Sequence, residues 1–175
     1  MGGDPHRFVE VRAESSADIE AIRALHSASF PTAAEAGLVD ALRNAGRLSI
    51  SLVAVERDQV IGHVGFSPIT IDGEPSGLGL APVAVRLDCR RRGVAAHLIR
   101  EGLDRCRKAA ASLVVVLGDP RYYARFGFEP ASRHALRDEY EGGEAFQAIE
   151  LVPGAAPAQG GLVRYSPEFA TLGPE

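Results

Sequence analysis

Tryptophan is missing from this chain, lysine occurs once, at Lys108, and cysteine only twice, at Cys89 and Cys106. A single lysine makes a Schiff-base enzyme a poor fit, and no G-K-[ST] phosphate loop occurs in the sequence. The two cysteines lack the C-x-x-C spacing of a zinc or redox site and are too few for a disulfide framework. They read as reduced thiols in a cytoplasm, with no metal centre. No apolar run approaches the roughly 20 residues of a membrane span. Met1-Gly2-Gly3-Asp4-Pro5-His6 has neither the apolar core of a signal peptide nor the Ser or Thr of a myristoylation motif. Excess positive charge is also absent: the formal net charge is -4, which argues against nucleic acid or acidic membranes as partners.

What is present suits an ordinary globular chain, with 46% hydrophobic and 24% charged residues over 175 positions. That length predicts one domain, residues 1–175, with a sizeable core. Phe8–Arg12 reads as a first strand. Ser15 three positions before Asp18 signals a helix start, with Ile19, Ile22, Leu25 and His26 at helical spacing. Pro31 interrupts, and a second helix is predicted over Ala33–Ala45, ending at Gly46. The pattern then turns to strands at Leu48–Glu56, Gln59–Ile71 and Leu78–Arg86, joined by the turns Arg57-Asp58 and Asp72-Gly73. Gly62 and Gly65 mark bends or close backbone approach.

Val94–Ala110 carries the clearest helical period, with Val94, Leu98, Gly102 and Cys106 on one face. Leu113–Leu117 is five apolar residues in a row, the mark of a strand buried on both faces. Strand, long helix and buried strand make a right-handed crossover between parallel neighbours. The fold class is therefore α+β, a mixed and mostly antiparallel sheet with a central parallel pair, flanked by helices. Gly118–Phe126 reads as a short helical segment and Gly127-Phe128 as the turn into another strand. Arg133–Glu144 has no apolar period and reads as a surface loop. Phe146–Val152 and Leu162–Tyr165 are late strands around a Pro, Ala and Gly loop.

Chemistry concentrates in Leu80–Ile99: an apolar strand, a turn holding Arg90, Arg91 and Arg92, then Gly93 at the mouth of a helix. Unpaired N–H groups at a helix N-terminus favour an anion, and glycine there admits close backbone approach. Arg90-Arg91-Arg92-Gly93-Val94-Ala95 also matches [QR]-x-x-G-x-[GA] after a strand and before a helix. Tyr123 stands four positions before Gly127-Phe128. On these two elements the chain resembles the GNAT acetyltransferase superfamily from Phe8 to Phe169, and its bacterial branch of predicted N-acetyltransferases in particular, where Gly-Asp-Pro precedes paired tyrosines.

The resemblance implies the GNAT fold, with the parallel pair splayed apart, and acetyl-CoA as cosubstrate. Backbone N–H groups from Arg91 to Ala96 would cradle the pyrophosphate. Val83, Ala84 and Val85 would line the pantetheine arm, Val83 and Val85 through their backbones. A backbone N–H near Val83 is the implied oxyanion donor, and Tyr123 the acid that protonates the departing thiolate, with Tyr122 as the alternative. Many family members carry a glutamate base on the pantetheine strand, but Leu78–Val85 has no carboxylate. His63, Glu56 or a water chain are the substitutes, and Asp119 reads as a helix cap. Cys89 lies too far from the thioester for ping-pong transfer, and Cys106 belongs to the buried helix face.

The expected activity is acetyl transfer to a primary amine, on a small molecule or a peptide, by direct attack in a ternary complex. The alternatives are a CoA-binding module without transfer, supported by the missing strand carboxylate, and transfer to oxygen or from longer acyl groups. The resemblance implies that the first two helices and Arg133–Glu144 line the acceptor side. The acidic Asp138, Glu139, Glu141 and Glu144 hint at a cationic acceptor, with a solvated loop as the plainer account. A homodimer is compatible with the sequence.

Overall fold

A computed structural model describes residues 8–172; the Met1–His6 segment lies outside them. The chain runs β1 (Glu10–Ala13), α1 (Ile19–Ser29), α2 (Ala34–Asn44), β2 (Ile50–Glu56), β3 (Gln59–Ile71), β4 (Glu74–Val85), α3 (Val94–Lys108), β5 (Leu113–Leu117), α4 (Pro120–Tyr123), β6 (Glu129–Pro130), β7 (Leu136–Asp138), β8 (Phe146–Glu150) and β9 (Gly161–Arg164). The sheet is ordered β1-β2-β3-β4-β5-β8-β6, with β9 pairing both β3 and β7. Neighbours are antiparallel except β4 with β5, as the crossover reading requires, and β7 with β9.

Local chemistry accounts for the helix ends. Ahead of α1 the Ser15 N–H donates to Asp18 Oδ2 at 2.7 Å, and Arg12 holds the same carboxylate from β1. Gly46 follows α2 at φ +70, the left-handed exit that glycine permits. The sheet separates two apolar layers. On one side Leu98, Ile99, Leu103 and Cys106 of α3 pack on Leu52, Val64, Phe66, Val114 and Val116. On the other, Leu38 and Leu42 of α2 meet Ile69, Ile71, Leu113, Val115 and Phe169. β5 serves both layers with alternate residues, so its run of apolar side chains has no polar face.

Gly102 lies directly against the sheet: a Cβ there would lie 2.6 Å from Cζ of the buried Phe66 ring. Gly102→Ala is therefore expected to destabilise the fold by about 1–3 kcal/mol through overpacking. Urea unfolding should show a lower midpoint at unchanged slope.

Several boundaries differ from the sequence reading. β1 begins at Glu10 rather than Phe8, whose ring is exposed, and β4 begins at Glu74 rather than Leu78. The larger correction is Arg133–Glu144, which is not a plain surface loop. It holds β7, whose Leu136 and Asp138 are buried. A three-residue strand is too short to print a period. Asp138 tolerates burial because the N–H groups of Tyr140 and Gly142 donate to its carboxylate at 3.2 and 2.7 Å.

Candidate functional site

The ladder between β4 and β5 is brief: Leu78 pairs with Val114 and Gly79 with Val115, and nothing follows. Beyond that point the strands part, leaving the edge of β4 from Leu80 onward free on the β5 side. A bulge adds to the divergence, because one β3 residue (Gly65) faces two on β4 (Ala81 and Pro82) between ladder pairs Val64↔Val83 and Phe66↔Leu80. β4 then runs into a tight turn and α3.

That turn is shaped by two left-handed residues, Arg91 at φ +62 and Gly93 at φ +78. The first i,i+4 bond of α3 runs from His97 N–H to Gly93 C=O, at 3.0 Å. Val94, Ala95 and Ala96, the first three helical residues, have no acceptor within the helix for their N–H groups. A Cβ on Gly93 would meet nothing within 4 Å, so glycine supplies the backbone angle and open space there. A cavity of about 570 Å³ is lined by this turn, by Val83, Ala84 and Val85, by Ser29 and Phe30 at the end of α1, and by Tyr122 and Arg125. Nearly all the predicted cofactor residues meet here: Val83, Ala84, Val85, Arg90, Arg91, Gly93, Val94, Ala95 and Ala96.

Arg92 does not line this cavity. Its guanidinium forms a two-pronged ion pair with Glu56 of β2, at 2.9 and 3.0 Å. This contact ties the turn to the sheet and commits one of the two side chains considered as base. Arg90 donates from Nε to the Val85 carbonyl at 3.0 Å, bracing the strand end against the turn. Ser29, Phe30 and Arg125 were missed by sequence reasoning. Ser29 and Phe30 carry no motif, and only the packing of α1 brings them to β4.

His63, the other base considered, is not a lone histidine. Its Nδ1 lies 2.8 Å from Nε2 of His26 and its Nε2 lies 2.8 Å from Ser51 Oγ. Both rings are completely buried. Burial lowers both from the ordinary histidine range, His26 to about 4, while His63 is lowered further by the neighbouring His26 and Arg43. The pair is neutral at pH 7, with both His63 nitrogens engaged.

α4 begins where Asp119 Oδ1 accepts the Arg121 N–H at 2.9 Å, the capping role expected of it. Tyr123 is buried, edge-on to Tyr122 and Phe128 with ring centroids 5.2 and 5.7 Å away. Its Cδ2 would lie 2.9 Å from a Cβ on Gly118, which follows the end of β5. Only glycine at that position leaves room for the ring. Burial pushes the Tyr123 phenol up to about 12, so it stays protonated through the neutral range. Tyr122 is half-buried, lines the cavity, and carries the Arg125 guanidinium 4.3 Å from its ring centre. Both cysteines are buried, Cys89 at the cavity wall and Cys106 inside α3, where burial pushes the thiol up to about 12.

A free strand edge in a splayed sheet, closed at one end by a helix start with unpaired N–H groups, offers a place to an extended ligand that carries a phosphate. The comparisons with known proteins agree. The family model of the acetyltransferase (GNAT) domain matches residues 10–131. The uncharacterized N-acetyltransferase YhbS of Escherichia coli is 44% identical over 162 residues, covering 91% of this chain and 97% of YhbS. The crystal structure of YhbS in complex with CoA superposes with a TM-score of 0.90 at 42% identity, covering 97% and 96% of the two chains. A GNAT acetyltransferase from Brucella melitensis in complex with acetyl-CoA gives 0.80 at 37% identity, covering 94% and 99%. The chain belongs to the GNAT family of acetyltransferases.

Proposed function

We propose that the protein transfers an acetyl group from acetyl-CoA to a primary amine by direct attack within a ternary complex. The observation that carries this reading is the 570 Å³ cavity uniting the free edge of Val83–Val85 with the helix start at Gly93. The residues present fit the carrier. The curled turn and the free N–H groups of Val94, Ala95 and Ala96 suit a pyrophosphate. An unpaired strand edge suits an amide-bearing arm laid alongside it. The complexes of the two relatives with CoA and acetyl-CoA support the same ligand.

Acetyl-CoA supplies an activated acyl carbon and a thiolate leaving group. The residues of this chain bind and position it, and Tyr123 holds a proton at its phenol oxygen for the departing sulfur. The ammonium loses one proton to water, the uncharged amine nitrogen forms the new C–N bond as the C–S bond breaks, and its second surplus proton restores the Tyr123 phenol through solvent. With Glu56 held by Arg92 and His63 held by His26 and Ser51, neither is free to take that proton directly. Positioning the two reactants then carries most of the acceleration.

Gly93→Glu is the test of the carrier site. Its side chain is strained at positive φ and sets a carboxylate against the phosphate. CoA binding should disappear from calorimetric titration while the circular dichroism spectrum stays native. Undiminished affinity would refute the assignment. Release of free thiol from acetyl-CoA with a panel of amines tests transfer itself; binding without release would make the protein a CoA-binding module.

A further inference from the structure

A second cavity, of about 650 Å³, opens where β4 and β5 have parted, and shares no lining residue with the first. Leu80 and Ala81 form its β4 wall and Leu117 its β5 wall. The two cavities thus meet the same strand at successive stretches, the second at Leu80–Ala81, which enters the bulge, and the first at Val83–Val85 beyond it. A ligand here would reach the splay from the side opposite the carrier's phosphates.

The lining has a definite chemistry. Three carboxylates face it, Glu35 from the first turn of α2 and Glu139 and Glu141 from the segment after β7, and among the described residues it has no cationic side chain. Glu139 is partly balanced by Arg164 at 3.7 Å. Aromatic rings form another wall: the Tyr165 ring lies 6.0 Å from Tyr140 and 5.1 Å from Phe169 between centroids. Four buried side-chain polar atoms among the described residues have no hydrogen-bond partner, and two of them, Glu35 Oε2 and Tyr165 Oη, belong to residues of this one lining. Unpaired polar atoms of this kind are costly unless a ligand meets them. Tyr165 is 92% buried, and its ring packs against Gly79, the last β4 residue paired with β5. Carboxylates beside aromatic faces recognise organic cations, and the volume suits a small molecule.

We propose that this cavity is the acceptor site and selects a small amine carrying a second cationic centre, such as a short aliphatic diamine, with Glu35 pairing that centre. The inference rests on the acetyl-transfer reading above and deepens it. The uncharged amine attacks the acyl carbon at the splay, while the second, protonated nitrogen sits among carboxylate and rings.

The experiment compares 1,4-diaminobutane with butylamine and with a lysine-containing peptide, acetyl-CoA being saturating. The diamine is expected to show at least tenfold higher kcat/KM than the monoamine. Glu35→Gln should abolish that ratio, mainly through the KM for the diamine, with CoA affinity unchanged by calorimetry. Titration of diamine into the wild-type complex with CoA should show binding that Glu35→Gln loses. A monoamine used as well as the diamine, or a ratio intact in Glu35→Gln, overturns this proposal while leaving acetyl transfer standing. A peptide preferred over the diamine overturns the small-molecule assignment. Failure of every amine, with CoA still bound, overturns the transfer reading and this one with it.

Discussion

Tyr123→Phe is expected to lower kcat by roughly 10²- to 10⁴-fold, the contribution of a well-placed general acid, with little change in CoA affinity. The substitution removes one oxygen and keeps the ring that packs on Phe126, Phe128 and Gly118, so stability should be nearly untouched. A phenol with its pKa near 12 is a weak donor for an ordinary thiolate, whose acid has a pKa of about 8.5. Desolvation of the departing sulfur would narrow that gap, because burial raises a thiol as it does a phenol. Steady-state kinetics with Tyr122→Phe alongside decides the assignment. Tyr122 lines the carrier cavity and Tyr123 does not. A large loss in Tyr122→Phe with Tyr123→Phe near wild type would move the proton to Tyr122.

Acidification should destabilise the fold through His26 and His63. Burial holds both below their unfolded pKa of about 6.5, His26 near 4. Above 6.5 neither state binds the protons and the pair has no effect. Below it the unfolded chain takes up protons that the native pair refuses, so stability falls with pH until the native pKa values are reached. At pH 5 this amounts to about 2 kcal/mol for His26, a sizeable part of the 5–15 kcal/mol of a typical domain, and His63 acts in the same direction. Asp18, held near 2 by Arg12, acts in a separate window, since its stabilisation is lost only as pH falls from about 3.8 toward 2. Urea midpoints from pH 7.5 to 5 measure the slope, and a His26→Asn, His63→Asn double variant should flatten it. An equally steep slope in that variant would exclude the pair as its source.

The buried histidines show where sequence reasoning loses its grip. His26 sits on a helical stripe and His63 in an apolar strand, and each alone reads as an isolated structural histidine. They lie far apart in the chain, and only the packing of α1 on β3 brings their nitrogens to 2.8 Å. Arg92 is a similar case. Beside Arg90 and Arg91 it looks like a phosphate ligand, yet the turn points its guanidinium at Glu56. Both side chains advertise charge, and neither carries information about direction.

Elements whose signal is local were legible. The period of α3, the apolar run of β5, the capping residues Ser15 and Asp119, and the helix start at Gly93 follow from backbone preferences and burial within a few residues. The strand-turn-helix stretch and the tyrosine before Gly127-Phe128 were enough to point to an acyl-CoA site. The proposed acceptor side was legible in part, since the resemblance implies the first two helices and Arg133–Glu144 there, whereas Leu80, Leu117, Tyr165 and Phe169 join Glu35, Glu139 and Glu141 in one lining only through tertiary packing. The sequence by itself therefore determined the fold class and the strand-turn-helix stretch proposed as the carrier's phosphate cradle, which is made of consecutive backbone groups. Tertiary structure alone decided which carboxylate Arg92 engages and which histidines are paired. Those outcomes depend on side-chain distances across the sheet, and residues distant in the chain set them.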